Sequence, residues 1–311
     1  MRNIEDLDRL IGNTPLVEIT YEYNGDTRKT LAKCEWYNLS GSIKDRVAYQ
    51  IIKDAIASGK VDSKTNIVEV SSGNMGISLS AISAYLGLNI TIIMPRSMSQ
   101  ERKELIKMYG ARLIETKDFA EAFALCDKLV EQGYYCTRQF SNPSNTKTHS
   151  TTTANEILKL VTPDYTSFVA GVGTSGTLSG VSCILREAGI STIAIEPYNA
   201  RILTSAPPYS HHELQGLSDE ILPELYSSKL VDNIIPITDD DAIAMSQKLC
   251  KELGLGVGIS SGANFLGCVL SNNNAITIFP DDNKKYLTTR LAKTIHTPLV
   301  DSLNLISLKS I

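Results

Sequence analysis

The residues able to do chemistry gather in four short stretches. In NLSGSIKDRV, Asn38 to Val47, small polar residues precede Lys44. Apolar residues at Val47, Ile51, Ile52, Ala55 and Ile56 keep a helical period, and Gly59 suits the C-terminal end of that helix. Lys44 then falls in the first turn. A helix N-terminus carries partial positive charge, so it is a poor place for a surface ammonium. The second stretch, SSGNMG from Ser71 to Gly76, has small residues and exposed amides suited to a carboxylate or a cofactor oxygen, or equally to a tight turn capped by serine. In the third, GVGTSGT from Gly171 to Thr177, glycines let the backbone close on an anion and hydroxyls add donors, which suits a phosphate. Its spacing also fits G-x-G-x-x-G with Glu196 about 20 residues on, so a nicotinamide-dependent dehydrogenase stands as a rival reading. The fourth, GISSGAN from Gly258 to Asn264, puts Ser260 and Ser261 ahead of a helical run, where a simple cap is the ordinary explanation.

The elements that must hold these stretches follow from periodicity. Runs rich in β-branched residues at 67–70, 90–94, 112–115, 168–170, 192–196, 234–237 and 275–279 alternate with helical patterns. That alternation predicts an α/β fold of parallel sheets flanked by helices. The second, third and fourth stretches are each expected to follow a strand and precede a helix, where open α/β sheets take ligands. The polar segment SNPSNTKTHS, Ser141 to Ser150, is the expected crossing between two lobes. Residues 198–224 carry Pro207, Pro208 and Pro223 without a clear period and read as a long loop.

Composition narrows the function classes. The 311 residues are 42% hydrophobic and 21% charged, with a formal net charge of −4. No basic excess points to nucleic acid, and no apolar run is long enough to span a bilayer. The start, MRNIEDLDRL, is acidic where a signal peptide is basic, so a cytoplasmic protein with a small-molecule partner is expected. Six scattered cysteines without a CxxC pair read as buried free thiols, and the four histidines show no ligand spacing, so no metal is expected.

The order of the four stretches, together with IGNTPLVEI (Ile11 to Ile19), RQFSNPSN (Arg138 to Asn145) and PDDNKKYL (Pro280 to Leu287), resembles the cysteine synthase and cystathionine β-synthase family of pyridoxal-phosphate enzymes almost end to end. The resemblance implies two open, mostly parallel sheets flanked by helices, the tryptophan synthase β-like arrangement of fold type II. It implies a small mobile lobe at 45–147 and a large cofactor-binding lobe formed by 1–44 and 148–311, in a homodimer. Lys44 would form the Schiff base to pyridoxal 5'-phosphate. A helix N-terminus and desolvation both disfavour its ammonium and leave a basic, nucleophilic amine. Asn74 would meet the ring hydroxyl, Gly173, Thr174, Ser175, Gly176 and Thr177 the phosphate, and Ser260 the pyridine nitrogen. Ser71, Ser72, Met75 and Gln139 would hold the carboxylate of a small amino-acid substrate. A serine hydroxyl at the pyridine nitrogen makes a weaker electron sink than a carboxylate partner would, which favours β-elimination to an aminoacrylate and addition of a small nucleophile. The usual family product is cysteine, from O-acetylserine and sulfide. Phosphoserine, serine or cysteine as donor is the alternative.

The chain departs from the family pattern at four places. Leu39 and Ser40 stand for Pro-Gly, Met75 for threonine, Ser175 for glycine, and GLSDEILPE (Gly216 to Glu224) for a loop of small residues. Asp219 or Glu220 could there activate the incoming nucleophile, or simply face solvent.

Overall fold

A computed structural model describes residues 1–218 and 222–311. The chain opens with a hairpin of β1 (Leu16–Tyr23) and β2 (Asp26–Cys34). Its two-residue turn is Asn24-Gly25, both at positive φ (52° and 84°), the pairing a twisted hairpin favours. Then come α1 (Lys44–Ala57), β3 (Asn66–Val70), α2 (Asn74–Leu86), β4 (Asn89–Pro95), α3 (Gln100–Met108), β5 (Arg112–Thr116), α4 (Phe119–Glu131) and β6 (Tyr135–Cys136). After α5 (Pro143–Thr148) and α6 (Ala154–Leu158) follow β7 (Ser167–Gly171), α7 (Gly176–Leu185), β8 (Ser191–Pro197), β9 (Ala200–Arg201) and β10 (Ala206–Tyr209). The chain continues through β11 (Asn233–Ile237), α8 (Asp239–Leu253), α9 (Ile259–Leu270), β12 (Ala275–Phe279), α10 (Pro298–Asp301) and β13 (Asn304–Ser310).

Among the described residues, one sheet runs β5-β4-β3-β6, all parallel, and a second runs β11-β8-β7-β12-β2-β1-β13. The second is parallel from β11 to β2 and antiparallel at β1 and β13. All seven strands expected from the sequence are present. The α/β arrangement of two mostly parallel sheets is the observed one.

Strand alternation decides what each sheet face buries. Phe168 and Ala170 of β7 pack with Leu178 and Val181 of α7, whereas Val169 points to the core formed by α8 and α9. In the four-stranded sheet Ile67, Ile92 and Met94 face α1 and α2, and Val68, Val70 and Ile93 face α4. Helices therefore cover both faces of both sheets, as parallel sheets require.

Four expectations need correction. Gly258 to Asn264 follows α8 and not a strand. The Ser141–Ser150 crossing is helical: Asn142 caps α5 by accepting from Ser144 N, Pro143 takes the first turn, and a wider turn at His149–Thr153 leads into α6. The 198–224 segment is not all loop, since β9 and β10 pair antiparallel within it. Of the cysteines, Cys34, Cys126 and Cys268 are buried, but Cys183 is exposed because it lies on the outward side of α7.

Candidate active site

The site forms where α1, the β3–α2 turn and the β7–α7 turn converge. Ile43 N donates to Pro280 O, at the turn after β12, and Ser42 Oγ accepts from Lys44 N at 3.2 Å. Asp45, buried in the first turn, accepts from Ser40 N at 2.8 Å and Ser40 Oγ at 2.5 Å. Ser40, one of the departures, thus helps fix the loop that delivers Lys44. Burial pushes the Asp45 carboxyl up, against the pull of the Ser40 and Ser78 hydroxyls.

Behind Lys44, Arg46 is locked on both sides. It donates from Nε and Nη2 to Glu35 at 2.7 and 2.9 Å, and from Nη1 and Nη2 to Glu156 at 2.6 and 2.8 Å. Lys33 Nζ joins Glu156 at 2.7 Å. Burial would raise the Glu35 carboxyl, but the Arg46 guanidinium outweighs it and holds the group below its ordinary value.

Lys44 Nζ reaches across to donate to Thr174 Oγ1 at 3.4 Å. In the β7–α7 turn the backbone is closely pressed. A Cβ on Gly173 would lie 2.1 Å from Gly216 O, and one on Gly176 1.9 Å from Asn145 Oδ1, so neither tolerates a side chain. Ser175 sits at φ 65°, left-handed backbone that glycine adopts more readily, and its hydroxyl pairs with Ser179 Oγ at 3.0 Å. Asn145 Nδ2 donates to Thr174 Oγ1 at 2.9 Å, and His149 Nε2 lies 3.2 Å from Thr177 Oγ1. His149 is fully buried. Burial first, and then the charges of Lys44 and Arg46, hold its imidazole well below its ordinary range, so it stays neutral.

In the β3–α2 turn Ser71 Oγ accepts from Gly73 N and Gly76 N at 3.0 and 2.9 Å, capping α2 itself. Asn74 Nδ2 donates to Asp281 Oδ2 at 2.8 Å, while Asn74 Oδ1 is buried without a hydrogen-bond partner. Gln139 Nε2 donates to Val70 O at 2.8 Å.

Lys44, Ser71, Ser72, Asn74, Met75, Gln139, Gly173, Thr174, Ser175, Thr177 and Ser260 line one cleft. Gly176 is buried just inside α7, one residue behind the lining. Asp219 and Glu220 lie outside the described residues. The sequence reading missed Arg102 and Gln215 in the lining, and the supports Asn145, His149 and Asp281 behind it. Asn145 and His149 lie within SNPSNTKTHS, the expected crossing, as an amide and an imidazole whose types are the available signal.

A family model described as pyridoxal-phosphate dependent enzyme matches residues 7–281. The chain belongs to the pyridoxal-phosphate-dependent enzymes. It is 39% identical over 304 residues to cysteine synthase B of Campylobacter jejuni, covering 94% of this chain and 99% of that protein. A hydrogen sulfide-producing enzyme from Fusobacterium nucleatum superposes with a TM-score of 0.92 at 36% identity, covering 99% of each chain. An aspartate-to-asparagine variant of a hydrogen sulfide-producing enzyme, in complex with an α-aminoacrylate intermediate, gives 0.93 at 36% identity and 99% coverage of each chain. O-acetylserine sulfhydrylase isoform 3 of Entamoeba histolytica gives 0.85 at 34% identity, covering 97% of this chain and 96% of that one.

The dinucleotide reading fails on the same ground, and the structure shows what Glu196 does instead. Its carboxylate accepts from Leu203 N and Thr204 Oγ1 at 2.8 and 2.6 Å, tying down the segment after β8. The residues present fit pyridoxal phosphate. A Gly/Thr/Ser turn opens a helix, an orphaned amide oxygen on Asn74 belongs to the cleft lining, and a lysine amine meets the turn at Thr174.

Proposed function

We propose that this enzyme exchanges the β-substituent of a serine-derived amino acid, making cysteine from O-acetylserine and sulfide. The observation that carries the reading is Lys44 Nζ at the Thr174 hydroxyl, inside the cleft lined by Asn74, Gln139 and Ser260. When bound, pyridoxal phosphate supplies the electron sink for breaking bonds at the α and β carbons of an amino acid.

The chain supplies the rest. The amides and hydroxyls from Gly173 to Thr177, with Gly176 at the start of α7, cradle the phosphate. Asn74 takes the ring hydroxyl and Ser260 the ring nitrogen. Ser71, Ser72, Gln139 and the amide of Met75 orient the substrate carboxylate, and Lys44 takes the proton from Cα. Met75, 2% exposed and standing where the family pattern has threonine, also lines the cleft. A protein whose visible absorbance changes with amino acid, and whose cofactor is fixed to Lys44 by borohydride, supports this; a colourless protein that binds nicotinamide dinucleotide refutes it.

A second reading, sulfide release from cysteine, is favoured by the acidic GLSDEILPE loop and by the likeness to a hydrogen sulfide-producing enzyme. Mass detection of products from O-acetylserine, O-phosphoserine, serine and cysteine, each offered with sulfide, thiols and amines, separates the two.

The proposal includes a cytoplasmic homodimer. Among the described residues no helix is long and apolar enough to cross a membrane. The β13 edge exposes Ile306 and Leu308, an apolar strand that a second copy would cover. Light scattering on the purified protein tests the dimer.

A further inference from the structure

Glu69 is a buried acid that the chemistry above does not use. It stands on β3, two residues before the Ser71 turn, and is 2% exposed. Its Oε1 accepts from Val70 N at 2.9 Å; its Oε2 accepts from Gln139 N at 3.2 Å and from the Thr137 hydroxyl in a short hydrogen bond. The donors that meet it are neutral. Between Thr137 and Gln139 the chain turns through Arg138 at φ 52°, and the Gln139 side chain returns to Val70 O at 2.8 Å. Carboxylate and amide together form a closed brace between the end of β3 and the 137–139 turn.

We propose that Glu69 is a positioning residue for amino-acid binding: its ionised carboxylate draws the 137–139 turn against β3, setting the distance between Gln139 and the Ser71–Met75 turn, and its protonation loosens that grip. The inference rests on the reading that these two segments hold the substrate carboxylate. An anion accepts from all three donors, whereas a protonated acid or an amide turns a donor of its own toward one of them. Burial pushes the carboxyl up to about 7, against the pull of the Thr137 hydroxyl and the Gln139, Val70 and Arg138 amides. Grip and protonation therefore exchange near pH 7. The ionisable groups facing it are Tyr135 and Cys136 on β6, with Cys126 of α4 behind Cys136 and Asp54 near Tyr135. Burial pushes the Tyr135 hydroxyl up. The Cys126 contact and burial do the same for the Cys136 thiol, so both stay neutral while Glu69 titrates. Across the pairing, β4 offers only Ile92.

The experiment titrates the holoenzyme with L-serine and with ethanolamine, the same amine without a carboxylate, following cofactor absorbance from pH 6 to pH 8.5. The ratio of the two dissociation constants isolates the carboxylate grip. It is expected to favour serine about tenfold more at pH 8.5 than at pH 6 in the parent, and to be flat and about tenfold lower in Glu69→Gln, with ethanolamine binding within about twofold. Difference infrared spectra should show a protonated carboxyl band that fades as pH rises through neutrality in the parent and is missing from Glu69→Gln. Should that variant not fold, the parent's own ratio decides, and a ratio that does not move with pH overturns the proposal. So does a Glu69→Gln enzyme whose ratio matches the parent's within about twofold. Gln139→Ala separates the two layers. If it lowers the ratio while Glu69→Gln does not, only the role of Glu69 falls; if neither lowers it, the carboxylate-grip reading falls as well.

Discussion

Lys44 Nζ and Thr174 Oγ1 meet at 3.4 Å although 130 residues of chain separate them. The contact joins the start of α1 to the turn before α7, so the amine and the proposed phosphate cradle are held together by the starts of two helices. Replacing Lys44 by alanine is expected to abolish turnover and borohydride-dependent attachment of the cofactor while circular dichroism stays as in the parent. Turnover persisting at more than about one hundredth of the parent's would remove Lys44 from the reaction.

Arg46, two residues on, is what keeps that helix start in place. Glu35 is fully buried, and Arg46 is the cation paired with it. Arg46→Met keeps most of the packing and strands the Glu35 charge, so a loss of about 3–5 kcal/mol is expected in urea unfolding. A double variant, Arg46→Met with Glu35→Gln, should recover part of it, because the stranded charge and not the missing side chain dominates the cost.

His149 gives the proposed phosphate cradle a pH signature. Its folded-state pKa is depressed below its ordinary value of about 6.5, so the imidazole is neutral when folded and gains a proton when the chain unfolds in acid. The sign follows: its contribution to stability is complete above pH 6.5 and is lost as pH falls below it, at no more than about 1.4 kcal/mol per pH unit. Between pH 6.5 and 5 the melting temperature of His149→Gln should fall less steeply than the parent's. Because Thr177 leans on this ring, the same variant should bind the cofactor about tenfold more weakly at neutral pH, as measured by dialysis.

Arg102 of α3 spans the cleft from the four-stranded sheet's side. It donates to Ser72 O at 3.2 Å and to Tyr286 Oη at 2.7 Å, and it meets the Gln215 amide in a short hydrogen bond. If residues 45–147 move as a lobe when a substrate carboxylate engages the Ser71 turn, this contact must break or reform. Crystals of the free and serine-bound holoenzyme, free of lattice restraint at the cleft, should differ in lobe angle; equal angles would end the moving-lobe reading.

Much of this architecture is legible in the amino-acid sequence. Seven of the parallel strands are legible, and those buried on both faces, β4 and β12 among them, read as near-continuous apolar runs, as NITIIM and AITIF do. The antiparallel edge does not. In β2, Lys33 is fully buried, but its charge is met by Glu156 from a distant helix, so the strand reads as polar. In β13 most side chains face outward and no burial pattern exists to detect. Asn24-Gly25 was the available sign of the first hairpin, a turn chemistry stronger than the flanking pattern. At the site, the residues that would touch ligand sit in glycine- and serine-rich turns with their own signature. Their supports, Asn145, His149 and Asp281, depend on which helix folds over which turn, and spacing along the chain carries no trace of that.

The acidic GLSDEILPE stretch is the proposed determinant of which nucleophile the enzyme takes. Release of the leaving group needs only Lys44 and the cofactor, whereas the second half-reaction needs a nucleophile stripped of its proton, the task proposed for Asp219 or Glu220. The two halves can be timed separately in a rapid-scan experiment with O-acetylserine first and a thiol second. If one carboxylate is the base, Asp219→Asn or Glu220→Gln leaves the first phase unchanged and slows the second by about 100-fold, the scale of a lost general base. The loss should shrink with nucleophiles already ionised at the working pH, since these have no proton to give up. That dependence distinguishes a base from a residue that merely attracts a cationic substrate, for which the slowing would follow the nucleophile's charge instead. Both phases within about a factor of two of the parent in both variants would place the two carboxylates in solvent. The enzyme would then be a plain cysteine synthase whose loop differs from its relatives' without consequence for the chemistry.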